Sequence, residues 1–117
     1  MESDQKTNFE EFFSLLPREE REAIISHGVV LRLSGLKKRL FLAESKVAHF
    51  EKQYQTTLSK LEGEGLPDDA GYEMHEDYIM WHHWASVINK LEPDIASLEK
   101  IAQQGLFVLE ETAYAGT

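Results

Sequence analysis

An apolar side chain returns every three or four positions along one stretch of this chain, at Val29, Leu33, Leu36, Leu40, Ala43, Val47, Phe50, Tyr54, Leu58 and Leu61. That is the period of an α-helix burying one narrow face, and it predicts a long helix from Val29 onward. At 1.5 Å per residue, Leu36 to Glu62 alone would be on the order of 40 Å long. Gly35 falls inside the pattern, where a glycine costs about 1 kcal/mol relative to alanine. Val29 to Ser34 also alternates apolar and polar between two glycines, as a short strand would. The helix is the preferred reading because the spacing passes through without a phase shift.

Upstream, the first seven residues are polar and are expected to fray. Asn8 is a candidate cap for a short helix carrying Phe9, Phe12, Phe13 and Leu16. Pro17 should end it and open the next at the position proline favours. A second short helix, Arg18 to His27, should stop at Gly28. Downstream, Gly63-Glu64-Gly65-Leu66-Pro67-Asp68-Asp69-Ala70-Gly71 is the clearest loop in the sequence. A second long helix is then expected from about Glu73 to Gln104, with Tyr78, Trp81, Ala85, Ile88, Ile95 and Ala102 in phase. Met80, Trp84, Val87, Leu91 and Leu98 widen its apolar arc to about half the circumference, so this helix must touch more than one neighbour. Pro93 should kink it near Leu91.

Two long helices joined by a short connection return antiparallel. The fold expected is therefore all-α: short N-terminal helices over residues 1–28, a coiled-coil-like hairpin over 29–104 with its loop near 63–72, and a tail over 105–117. Such a hairpin cannot bury its apolar faces alone, so a dimeric helical bundle is expected, with the N-terminal helices covering part of the surplus. Leu106-Phe107-Val108-Leu109 is a further apolar patch in need of a surface.

Charge divides the chain. Residues 1 to 62 hold ten acidic and ten basic side chains, whereas residues 63 to 117 hold eleven acidic and two basic, so the net charge of -9 lies in the second half. Acidity of this kind argues against direct nucleic-acid binding, which draws on cationic contacts to phosphates. The basic run Lys37-Lys38-Arg39, near Arg32, reads as a solvated helix face. With no cysteine there is no disulfide, thiolate metal site or cysteine nucleophile. No apolar run approaches the roughly 20 residues a bilayer requires, so no membrane association and a cytoplasmic location are expected.

Nothing in the spacing points to catalysis. His75 and His82 share a helix face but stand about 10 Å apart along the axis, too far for one ion, and the adjacent His82 and His83 diverge by about 100°. No Ser-His-Asp arrangement, phosphate loop or dinucleotide fingerprint can be traced. A non-enzyme without cofactor or metal is therefore expected. The weaker alternative is a metal-dependent enzyme or sensor in which a dimer gathers His75, Glu76 and His83. What stands out is an acidic collar, Glu62, Glu64, Asp68, Asp69, Glu73, Glu76 and Asp77, with no Lys or Arg within it. It runs directly into Tyr78-Ile79-Met80-Trp81-His82-His83-Trp84. Helix capping and the helix dipole account for some of these carboxylates, and two tryptophans at helical spacing are more often core than binding site. The width of the apolar arc nevertheless leaves room for one indole beyond the seam, and aromatic residues within an acidic rim are the composition of a binding hot spot.

The segment Val47-Ala48-His49-Phe50-Glu51-Lys52-Gln53-Tyr54 through Thr57-Leu58, then Gly65-Leu66-Pro67-Asp68-Asp69 and His75-Glu76-Asp77-Tyr78-Ile79-Met80-Trp81, resembles a family of small helical-hairpin, antitoxin-like proteins of bacteria and archaea. These are often encoded beside a toxin. The likeness covers roughly residues 29 to 103, and its most specific element is the loop with His-Glu-Asp-Tyr-Ile-x-Trp. Members often carry a glycine after the equivalent of Tyr54, a pattern from which Gln55 departs. The resemblance implies an antitoxin-like binding role and supplies no catalytic residue.

Together these point to a non-catalytic module that neutralises a basic, toxin-like protein by occluding its cationic site. Asp68, Asp69, Tyr72, Glu73, His75, Glu76, Asp77, Tyr78, Trp81 and Trp84 form the expected partner surface. A homo-oligomeric coiled-coil scaffold is the competing expectation.

Overall fold

The computed structural model describes residues 2–115, with side chains for residues 8–104. Among the described residues there is no strand, and four helices follow in order: α1 (Glu2–Leu15), α2 (Arg18–Tyr54), α3 (Leu58–Glu64) and α4 (Tyr72–Ala115). The helix therefore begins at Glu2, where fraying was expected. Pro17 separates α1 from α2 because the residue before a proline is pushed out of the helical region. The Leu16 N–H closes the last turn of α1 on the Phe13 carbonyl, and the Pro17 carbonyl accepts from the Arg21 N–H to open α2. Glu19 and Glu20 in that first turn suit the positive end of the helix dipole.

Gly28 does not stop the helix. A glycine ends a helix by adopting positive φ, and among the described residues only Gly65 and Gln55 do so. The buried positions Ser26, Val29, Leu33 and Leu36 carry one continuous face past both Gly28 and Gly35, so Val29 to Ser34 is helical. In α4, Pro93 lies inside the helix, which runs on past the expected end at Gln104. The expected 106–109 patch falls where side chains lie outside those described.

The chain divides into two units. Unit 1 comprises residues 1–34 and 97–117, and unit 2 runs from Gly35 to Ala96. In unit 2, the Phe50 ring lies against Trp81, and the Tyr54 hydroxyl, four residues on, meets Asp77, four residues earlier. Rising numbers on one helix against falling numbers on the other define an antiparallel pair, the expected hairpin. The buried cluster joins Phe50 of α2, Leu61 of α3 and Trp81 of α4, with Val47, Tyr54, Leu58, Leu66, Met74, Tyr78 and Trp84 packed around it. The wide apolar arc of α4 thus meets two neighbours from its own chain.

One expected element is overturned: α2 does not continue to Glu62. It ends at Tyr54, Gln55 takes the left-handed conformation at φ 51°, and α3 starts afresh at Leu58. Three residues off the helix span nearly one helical turn, so the four-residue step from Tyr54 to Leu58 conceals the break.

Two substitutions test this backbone. Gly35 is exposed in a helix interior, and nothing lies within 4 Å of where a Cβ would be added. Gly35→Ala should stabilise the protein by about 0.5–1 kcal/mol in urea denaturation. Gln55→Gly should contribute a similar amount by removing the cost of a side chain at positive φ. Loss of stability in either would contradict the local conformation described.

Candidate functional site: the acidic end of unit 2

The acidic collar is held in place by three turns, each with a local cause. Gln55 ends α2, and the Thr57 hydroxyl oxygen accepts from the Lys60 N–H at 3.2 Å, capping α3. Gly65, at φ 82°, then closes α3 by donating its N–H to the Leu61 carbonyl at 2.7 Å. Only glycine adopts that conformation readily, and it turns the chain so that Leu66 packs on the core cluster. The Ala70 N–H bonds to the Pro67 carbonyl, which places Asp68 and Asp69 at the corner of a tight turn. The Gly71 carbonyl accepts from the His75 N–H and begins α4.

Geometry sorts the carboxylates into two groups. Asp77 faces inward, where its Oδ2 accepts from the Tyr54 hydroxyl at 2.5 Å and from Gln53 Nε2 at 3.3 Å. Glu62 likewise ties α3 to α4: its Oε1 accepts from the Tyr78 hydroxyl at 3.2 Å and lies 3.8 Å from His82 Nε2. These two are fastenings. Glu64, Asp68, Asp69, Glu73 and Glu76 are exposed, and among the described residues their side chains make no hydrogen bond or ion pair.

Both bridging tyrosines feel the negative charge. The bond to Asp77, assisted by burial and by the charges of Asp77 and Glu73, pushes the Tyr54 phenol up to about 12. Burial, then the charge of Glu62 and the bond to it, raises Tyr78 above its ordinary value.

The aromatics divide just as sharply. Trp81 is 1% exposed, stacked on Phe50 with centroids 5.8 Å apart and on Tyr54 at 6.0 Å. It is core, so the expectation that it belongs to a partner surface is corrected. Its indole N–H is buried with no acceptor among the described residues, so its contribution here is the packing of its ring. Trp84 is half-buried on the same cluster and stands 5.1 Å from the His83 ring. The exposed apolar side chains are instead Tyr72, 81% exposed at the start of α4, together with Ile79 and Met80, both about two turns on. Ile79 and Met80 were not expected here. The helical period puts Met80 on the buried arc, but it is 43% exposed and the arc centres on Trp81.

A cavity of about 470 Å³ opens beside this end, lined by Leu61, Glu62, Gly65, Leu66, Tyr78 and His82. No group of three or more His, Asp or Glu side chains among the described residues is arranged to hold a metal ion, and His75, Glu76 and His83 are not brought together as one. No helix among the described residues is long and apolar enough to cross a membrane. Comparison with protein-family models, curated proteins and solved structures gives no match for this chain.

The Tyr54–Asp77 bond has a measurable consequence. Tyr54→Phe should destabilise the protein by about 1–2 kcal/mol, the range of a partly solvated bond to a charged acceptor. Because the folded-state value near 12 lies above the ordinary 10.0, this contribution is complete below pH 10. It should fade as pH rises towards 12. Denaturation midpoints measured from pH 8 to 12 should fall more steeply in the wild type than in Tyr54→Phe. Parallel slopes would contradict the bond.

Proposed function

We propose that this chain is a non-catalytic protein-binding module whose acidic end docks on a basic partner protein. One observation carries the reading: five neighbouring carboxylates, Glu64, Asp68, Asp69, Glu73 and Glu76, are exposed and unpaired among the described residues while flanking the exposed Tyr72. Like charges gathered in this way repel each other and weaken the fold. A cationic surface would relieve that repulsion, and Tyr72, Ile79 and Met80 supply the apolar contacts that charge complementarity needs for affinity.

In this reading the module acts as an antitoxin does, by occlusion. The carboxylates take the place of phosphates in a cationic site of the partner, and the site is then closed to its own ligand. The resemblance of the loop and the His-Glu-Asp-Tyr-Ile-x-Trp segment to antitoxin-like hairpins supports this without naming the partner. A homo-oligomeric scaffold is the second reading. It is favoured by large apolar side chains left exposed in unit 1, among them Phe9, Phe12 and Leu31.

The test neutralises the free carboxylates and spares the fastenings. A chain carrying Asp68→Asn, Asp69→Asn, Glu73→Gln and Glu76→Gln should keep its helical circular dichroism. Used as bait in lysate of the native host, the wild type should capture a basic protein that elutes as salt rises. The variant should bind that protein about 10–100-fold more weakly at low salt, since each exposed pair contributes a few tenths of a kcal/mol and the set acts together. Equal capture by the folded variant would refute the proposal.

A further inference from the structure

Unit 1 carries a second surface of different chemistry. Phe9, Phe12 and Phe13 of α1, Leu16 just past its end and Ile24 of α2 line an open apolar groove of about 610 Å³. Phe9 and Phe12 are 74% and 71% exposed. On α2, Ile24 shares one helical line with Gly28 and the 73%-exposed Leu31, at the spacing i, i+4, i+7. Gly28 lies in the middle of that line, in the helix interior, with nothing within 4 Å of where a Cβ would stand. Among the described residues no close contact explains a glycine at this point, whereas a helix crossing from outside could approach the backbone closely there.

We propose that this face is a self-association surface, occupied by the same face of a second copy in a two-fold dimer. Area favours it. The exposed parts of Phe9, Phe12, Leu16, Ile24 and Leu31 come to on the order of 500 Å² per copy, in the upper part of the range of about 300–600 Å² for the largest apolar patch of a monomer, a size that is often functional. A two-fold pairing covers the patch twice, about 1,000 Å² before any polar rim is added, which is where specific interfaces begin.

Shape and charge select a copy of the same chain over another partner. Ridge and groove lie on one face: the rings of Phe9 and Phe12 project from the same surface whose groove would receive their equivalents, as a self-complementary contact requires. The flanks carry both signs, with Glu20 on one side of the Ile24–Gly28–Leu31 line and Arg32 on the other at 100° per residue. Two-fold symmetry can set such charges against their opposites. The acidic end of unit 2, with a single sign of charge, disfavours pairing with itself, and the dimer does not rest on the partner proposed there.

Sedimentation equilibrium of the full chain decides the matter. At roughly 10 µM, a concentration at which a micromolar interface is largely formed, the wild type should run at twice its 13.5 kDa. Phe9→Glu with Phe12→Glu should run as a monomer with helical content retained, and Ile79→Glu, altered in unit 2, should remain dimeric. Gly28→Leu guards against a folding artefact. Leucine strengthens an exposed helix, so a merely local role for Gly28 predicts a dimer at least as stable, whereas the proposal predicts association at least tenfold weaker. A monomeric wild type would overturn the proposal and leave the face to a different chain. Dimers that survive in the folded double glutamate variant, or in Gly28→Leu, would overturn it as well.

Discussion

The packing of Trp81 against Phe50 and Tyr54 is the contact on which unit 2 depends. Phe50 and Tyr54 lie one turn apart on α2, and a single indole spans both at centroid distances of 5.8 and 6.0 Å. That contact fixes the register of the antiparallel pair, since sliding α4 by one turn would move Trp81 off one of its two rings. Register in turn places Asp77 under the Tyr54 hydroxyl, so a directional bond confirms what the rings establish by shape. The burial of a large aromatic side chain contributes several kcal/mol, and the bond adds about one or two. Packing therefore leads, and the hydrogen bond makes the register unique.

Once the hairpin is set, α3 follows. A two-helix pair would leave one flank of the α4 arc bare. The break at Gln55 lets the chain fold back so that Leu58, Leu61 and Leu66 cover it. Backbone strain at one residue is exchanged for three apolar side chains withdrawn from water, each worth on the order of 1–3 kcal/mol if fully buried, against about 1–2 kcal/mol for a left-handed non-glycine residue. The balance favours the fold-back even with only partial burial. Gly65 then ends α3 without further strain, and the Asp68–Asp69 corner projects outward as the remainder of a connection whose ends are both fixed.

The all-α hairpin was legible in the sequence because a period of 3.6 over many residues has few alternatives. The loop was legible too, since three glycines and a proline within nine residues admit little else. What escaped were events that leave the period intact. The three-residue gap after Tyr54 mimics a helical turn, and Gly28 has the same identity whether it ends a helix or sits within one. The acidic collar was visible as a set, but spacing does not reveal which carboxylates have partners. Asp77 and Glu62 are distinguished from Asp68 and Glu76 only by Tyr54 and Tyr78, one of them more than twenty positions away. Trp81 and Trp84 lie three positions apart on one face, and the hint that placed a tryptophan outside was the width of the arc. The third helix accounts for that width.

Charge and apolar surface end up segregated, and the segregation has a physical logic. A surface of one charge sign repels its own copy and attracts an opposite one, so the acidic end disfavours self-association there and, in the function proposed, suits a cationic partner. An apolar face with mixed-sign flanks has no such preference and suits a symmetric contact. Separate units of the same chain carry the two. In the proposed dimer, a pair of chains joined through unit 1 would carry two acidic ends, each with its own Tyr72. Two linked sites raise the effective concentration of the second once the first is engaged, if the partner is itself multivalent. Dimerisation through an apolar face would then amplify an electrostatic recognition that is individually weak, and neither surface would need to be strong alone.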